Sequence, residues 1–328
     1  MKVVYIFEEQ SNPSTDYYII PAFSEYNFSI CRINQWNEIY PDIEKESWII
    51  IIRYLNKKLV NFLKQNRRKL ERLIYFMDDG LMSLGGLRDL PVKYAFRIFK
   101  KAYVYKNVLR KLKSEMWVST DYLSEVYKEW NPTVIYPYPL DIENDINLTN
   151  HESPKIIFYH GTSSHKKEIR WLSSLVNEIS EKYQDVVFEI ILNDSNFKYF
   201  KHFKNIISLR PMRWESYFKF CRLKYRTIGL VPLFNYEFNR GRSWIKFYDI
   251  TRAGAVGIYS EHAPYAEIIK KFNAGLVIPM NIEAWVEAIH RLISSQKECV
   301  TLLNNSMNLA EHLKNNAVDS YKKAISIV

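Results

Sequence analysis

Short β-branched runs alternate with longer stretches of helical period along this chain, and they do so twice over. In the first half the strand candidates are residues 3–7, 48–52, 73–77, 116–119 and 133–136. Each is followed by a polar or glycine-containing break, and most then by an amphipathic segment. Residues 56–72 form one such helix. Residues 91–113 form another, with Pro91 suited to a first helical turn. Ala95, Ile98, Ala102, Tyr105, Leu109 and Leu112 recur there at a 3-4-3-4-3 spacing, which predicts one continuous apolar stripe. Residues 139–154 break the pattern with Asp141, Glu143 and Asp145 among asparagines, and read as a linker. A second alternation follows, with strands at 155–159, 186–192, 205–209, 227–233, 255–260 and 275–279. Its helices are expected at 166–183, 214–223, 244–252, 264–272 and 282–295, and one or two more at 301–327. Strands separated by helices require parallel sheets with right-handed crossovers. The expected fold class is therefore α/β, with two Rossmann-like domains facing each other across a cleft. Residues 1–150 would form the first and 151–328 the second, with the last helix packing back on the first. A length of 328 residues suits two such domains.

Apolar residues at 47% and charged residues at 25% exclude a disordered chain. The longest aliphatic run, Ile49 to Ile52, is too short to span a bilayer. The N-terminus reads as a strand closed by Glu8 and Glu9 rather than as a signal peptide. Cys31, Cys221 and Cys299 lie far apart, without metal spacing, and read as thiols of a reducing compartment. A cytoplasmic location is expected. The net charge of +10 is unevenly spread: residues 53–113 hold 17 bases against 4 acids, and residues 198–226 hold 9 against Glu215 alone. Such concentrations point to an anionic partner, whether a phosphate-bearing substrate, an acidic membrane surface or nucleic acid, or else to solvated helix faces.

In open parallel sheets ligands sit beyond the C-terminal ends of the strands, and four clusters fall there. Tyr159 to His165 holds Gly161, Thr162, Ser163, Ser164 and the histidines His160 and His165 at the mouth of a helix. Backbone N–H groups and the positive helix end make such a turn an anion site. Ser163 or Ser164 serves equally as an ordinary N-cap, with Glu168 completing a capping box. The second cluster runs through Arg240, Arg242 and Ser243 into a helix bearing Lys246 and Asp249, then through Gly254 into a buried strand. Lys246 and Asp249, three residues apart, share a helix face. They suit a diphosphate and ribose hydroxyls, or form a surface ion pair. The third is Asp78-Asp79-Gly80, adjacent carboxylates at a strand end, suited to a general base or to a helix cap. The fourth runs from Ser260 to Glu267, with Pro264 and Tyr265. No metal set of standard spacing is present. The absence of Gly-x-Ser-x-Gly and of Gly-Lys-Ser/Thr argues against a serine hydrolase and a P-loop ATPase.

Residues 239–269, with His160-Gly161-Thr162 upstream, resemble the donor-binding domain of GT-B glycosyltransferases. The nearest class is group-1 (family 4-like), which builds bacterial surface polysaccharides. In that family a helix bearing an acid precedes a glycine turn and a strand ending in Ser or Thr. Asp249, five residues before Gly254, stands where the family has the second glutamate of its E-x7-E motif, which the resemblance implies holds the ribose. The first glutamate falls at Gly241, so that half of the motif is missing. The resemblance implies that Arg240, Arg242 and Lys246 take the phosphates, with Gly161, Thr162, His165, Ser243 and Tyr265 also on the donor side. It leaves Asp78, Asp79 and His160 as catalytic candidates. It implies a nucleotide-sugar donor linked through UDP, GDP or CMP, a glycan or lipid-linked acceptor and no cofactor. An anionic membrane surface would then lie beside Tyr103, Tyr105 and the lysines of residues 91–113. Nucleic acid is not expected, since no nucleic-acid module is recognisable. A binding or regulatory protein of the same fold, and a sugar-nucleotide epimerase, are the alternatives.

Overall fold

A computed structural model describes residues 2–142, 154–161 and 165–326, the Leu84 side chain excepted. The acidic part of the expected linker, from Glu143 on, lies outside the described residues, as do Thr162, Ser163 and Ser164. The chain forms two compact units. One comprises Met1–Tyr138, Tyr236–Ser243 and Lys314–Val328; the other comprises Pro139–Asn235 and Trp244–Leu313.

The first unit is built on strands β1 (Lys2–Glu8), β2 (Phe28–Asn34), β3 (Ser47–Ile52), β4 (Leu70–Met77), β5 (Glu115–Val118) and β6 (Thr133–Val134). They form one sheet in the order β2-β1-β3-β4-β5-β6, and every pairing is parallel. Each residue of β3 is buried, as a central strand covered on both faces requires. β2 is absent from the sequence expectation. It is an edge strand whose Ser29, Arg32 and Asn34 interrupt its apolar positions, and most of it is only half-buried. The helix expected over 56–72 stops at Asn66, because Leu70 to Arg72 extend β4.

The helix expected over 91–113 is three pieces: Val92–Lys101, a 3-10 turn at Tyr103–Tyr105, and Lys106–Lys111. Its break has a tertiary cause. The Lys101 carbonyl accepts the Leu55 N–H at 2.7 Å, and Ala102 leaves helical geometry at φ −131°. Ile98, Ala102 and Leu109 of the expected stripe are buried, whereas Ala95, Tyr105 and Leu112 are half-buried.

The second unit carries β7 (Lys155–Tyr159), β8 (Val186–Ile191), β9 (Ile206–Leu209), β10 (Ile228–Val231), β11 (Val256–Ser260) and β12 (Leu276–Ile278). The order is β12-β11-β10-β7-β8-β9, again wholly parallel. This is the doubly wound order, with its switch point between β7 and β10. Helix Ile245–Arg252 ends at Gly254, whose φ of +69° is left-handed and suits glycine. A β-carbon at Gly229 on β10 would meet the Ile250 side chain at 2.5 Å, so glycine permits close packing of that helix on the sheet. The chain closes with a single helix, Gln296–Ser326. Within the first unit, its Tyr321 O–H donates to the Tyr136 carbonyl at 2.7 Å, and Arg72 Nη1 donates to the Ala324 carbonyl at 2.9 Å.

Candidate functional site

Each sheet offers a switch point, and chemistry-bearing side chains collect at both.

In the first unit the switch lies between β1 and β3. Arg53 follows β3 directly, at a left-handed φ of +61°. Two bonds pin that backbone: Tyr75 O–H donates to the Arg53 carbonyl at 2.7 Å, and the Arg53 N–H donates to the Phe76 carbonyl at 2.9 Å. The guanidinium therefore lies against the residues that follow β4. Its Nη2 donates to Asp79 Oδ2 at 2.8 Å, and its Nε stands 3.3 Å from Asp78 Oδ1. Ser14 O–H donates to Asp78 Oδ2 at 2.7 Å. Burial raises the Asp79 carboxyl above the usual carboxylate range, against the opposing charges of Arg53 and Arg242. Burial alone would lower the Arg53 guanidinium, but the two carboxylates outweigh it and hold the group firmly protonated.

The segment Tyr236–Ser243 belongs to this unit, and its Phe238 lies in the unit's core. The Arg242 guanidinium stands 5.3 Å from the Phe238 ring centre and donates to Asn239 Oδ1 at 3.1 Å. Ser243 Oγ lies 2.5 Å from the Tyr18 hydroxyl, which burial holds well above its ordinary value. Arg240 is exposed. The structure thus gathers Asp78, Asp79, Arg242 and Ser243 with Arg53, Ser14 and Tyr18, which the sequence reading missed. Arg53 had a signal, a lone base ending the aliphatic run Ile49 to Ile52; Ser14 and Tyr18 had none. A carboxyl with a raised pKa beside fixed cations and hydroxyls can bind a polyhydroxylated molecule and accept a proton from it.

In the second unit the switch lies beside the end of β7, where His160 and Gly161 follow. His160 is buried. Its Nε2 is 2.9 Å from Glu189 Oε1 on β8. Glu189 also accepts from Arg226 Nε and from the Tyr225 hydroxyl. Burial alone would raise the Glu189 carboxyl, but these donors outweigh it and hold the group at about 2. Burial lowers His160 to about 4, helped by the Arg226 and Lys246 charges and opposed by Glu189. The imidazole is therefore neutral at pH 7. The anionic Glu189 assigns its proton to Nε2, and the Nδ1 lone pair faces the Tyr217 hydroxyl at 3.4 Å.

Lys246 donates to the His160 carbonyl. Asp249 is buried; it accepts from Arg252 Nη1 at 3.1 Å and from Tyr217 O–H at 3.4 Å. His160 and Asp249 thus meet at Tyr217, and Lys246 joins them through the His160 carbonyl. Gly161 is buried beneath the Tyr159 ring, whose hydroxyl a β-carbon there would meet at 2.4 Å. His165 is buried with its Nδ1 4.0 Å from Glu168 Oε2. Tyr265 is buried with its ring edge-on to Tyr259 at 6.0 Å. Glu189 had a sequence signal, a single acid inside Val-Val-Phe-Glu-Ile-Ile.

No family model matches the chain. No curated protein matches it significantly. Solved structures do, over the whole length. The sucrose-phosphate synthase of Thermosynechococcus elongatus superposes with a TM-score of 0.64 at 11% identity, covering 100% of both chains. The UDP-forming α,α-trehalose-phosphate synthase of Burkholderia vietnamiensis gives 0.59 at 9% identity, covering 99% of this chain and 98% of that one. An E. coli structure described as trehalose-6-phosphate bound with UDP-2-fluoro glucose gives 0.58 at 11% identity, covering 99% and 98%. The chain has the two-unit α/β fold of these GT-B proteins.

Proposed function

We propose that this chain is a glycosyltransferase that moves a sugar from a nucleotide-sugar donor to an acceptor. The observation that carries this reading is the likeness of both units, end to end, to solved sugar-transferring synthases, one of them holding a UDP-sugar analogue. A fold alone does not settle a reaction, so the reading also leans on the sites. The doubly wound second unit is the expected seat of the nucleotide, beyond β7 and β10. Lys246 of that unit would meet the phosphate charge that develops on the leaving group, and Asp249 would face the ribose. Asp79 of the first unit is our candidate to accept the proton of the acceptor hydroxyl. His160, neutral and held by Glu189 at Nε2, would act as a positioning residue for the loop after β7 rather than as an acid or base.

In its finer form the proposal is a group-1 (family 4-like) enzyme of surface-polysaccharide biosynthesis. It would act on a glycan or lipid-linked acceptor at the inner face of a membrane.

The test is a thermal-shift screen with UDP, GDP, CMP and their sugars. A ligand at 100 times its Kd should stabilise the chain by about 2.7 kcal/mol. Lys246→Ala should remove that shift. The proposal is overturned if no nucleotide raises the melting temperature. A shift kept in that variant overturns the phosphate assignment, and donor conversion without acceptor indicates an epimerase.

A further inference from the structure

The sheet of the second unit ends in two edge strands, and β9 leaves its outer side open. It closes the strand order, paired with β8 alone among the described residues. The Asn205 and Leu209 carbonyls accept the Phe188 and Leu192 N–H groups at 2.9 and 2.8 Å. Backbone groups alternate sides along a strand, so the N–H and carbonyl of Ile206 and of Ser208 point away from the sheet. Nothing bonds to these four groups among the described residues. Ile207 and Ser208 are exposed, the isoleucine by 40%. A row of unpaired backbone groups is a template for one more strand.

The flanking charge selects that strand. Residues 195–214 hold five bases, Lys198, Lys201, Lys204, Arg210 and Arg213, and no acid. All five are exposed, and none has an ion-pair partner among the described residues. Lys204 and Arg210 stand at the two ends of β9, just outside Ile206–Leu209. A second copy of this chain would bring the same bases to a two-fold contact and be repelled. A segment rich in carboxylates is attracted instead. Nucleic-acid phosphates would meet the bases too, but would leave the outward backbone groups and Ile207 unused, whereas an extended peptide uses both.

We propose that the outer edge of β9 is a docking site for an acidic, extended segment of a partner protein, which adds to the sheet as a seventh strand. The Ile206 and Ser208 backbone groups would pair with its main chain, Ile207 would pack on an apolar side chain, and Lys204 and Arg210 would meet its carboxylates. The site stands apart from the transfer chemistry.

The test is fluorescence anisotropy of the full chain with a labelled peptide of alternating glutamate and valine, eight residues long. Saturable binding that weakens as salt rises is expected. The same peptide N-methylated at alternate residues cannot pair along a strand and should not bind. Ser208→Pro removes one outward N–H and leaves the pairing with β8 intact, as proline on an edge strand does; it should weaken binding about fivefold or more. Lys204→Gln with Arg210→Gln should weaken it roughly tenfold at low salt. Both positions are exposed, so unchanged melting temperatures would confirm that the variants fold. Absence of binding, equal binding of the N-methylated peptide, or native binding by a folded Ser208→Pro chain overturns the proposal. So does a single-stranded oligonucleotide that binds more tightly than the peptide, or light scattering that shows a dimer abolished by Ser208→Pro.

Discussion

Replacing Glu189 by glutamine takes one negative charge from a place that water does not reach. Glu189 is 1% exposed and Arg226 is 2% exposed. The carboxylate gathers Arg226 Nε, the Tyr225 hydroxyl and His160 Nε2. Glutamine matches it in size, but half of its acceptor becomes a donor, and nothing remains to balance the guanidinium. Arg226 would keep the Phe220 and Leu223 carbonyls, at 3.3 and 3.1 Å, and the Tyr225 hydroxyl at 2.9 Å, none of which bears a net charge. Removing one partner of a buried pair costs about 3–5 kcal/mol. For a unit of this size that lowers its melting point by roughly 6–20 °C. Scanning calorimetry of the full chain would read this as a fall in its lowest transition. The double variant Glu189→Leu with Arg226→Met removes both charges and should lose less than the single one, because it leaves no ion without a counter-ion. A glutamine variant that melts with the native chain would mean that Arg226 is solvated, and the reasoning from burial would fail.

Three further outcomes are expected. His160 sits at about 4 instead of 6.5, so the unfolded chain takes its proton first. Stability should fall as pH drops from 6.5 to 4, by up to roughly 3 kcal/mol, with Glu189 adding a loss between 4.5 and 2. Urea titrations across this range that show no slope, or a slope unchanged by His160→Gln, would refute the first window. Arg53→Ala takes from Asp78 and Asp79 the cation paired directly with both and should cost about 3–5 kcal/mol in chemical denaturation, with Arg53→Lys recovering part; a loss below about 1 kcal/mol would contradict the pairing. Gly254→Ala should cost about 1–2 kcal/mol for its left-handed backbone, since the new β-carbon would meet Lys224 at an ordinary 3.5 Å. Gly275→Ala should cost more, because its β-carbon falls 2.7 Å from the Gly257 carbonyl; thermal melts that reverse this order would refute it.

The β-branched runs were readable because parallel strands are buried on both faces and leave near-continuous apolar signatures. β2 escaped because an edge strand needs no such signature. The break at Ala102 escaped because its cause, the Leu55 N–H, lies 46 residues upstream of Lys101. The placement of Tyr236–Ser243 escaped for the same kind of reason: Phe238 packs in the first unit's core, a long-range fact with no local mark. The strand-end rule singled out Asp78-Asp79 and His160-Gly161 as candidates, and these residues lie at the switch points of the two sheets.

Their partners carry a signal of another kind, a single charge in or at the end of an apolar strand. Such a charge is too costly to bury alone, so it requires a counter-ion at the same level of the sheet. Arg53 follows Ile52, which pairs with Phe76, so the turn after β4 delivers Asp78 and Asp79 beside it. Glu189 pairs with Phe158 on β7, which sets His160 two residues further on, within reach of its carboxylate. In a parallel sheet, register therefore turns an isolated charge into a prediction of which loop must answer it. Both switch points of this chain are lined by such pairs.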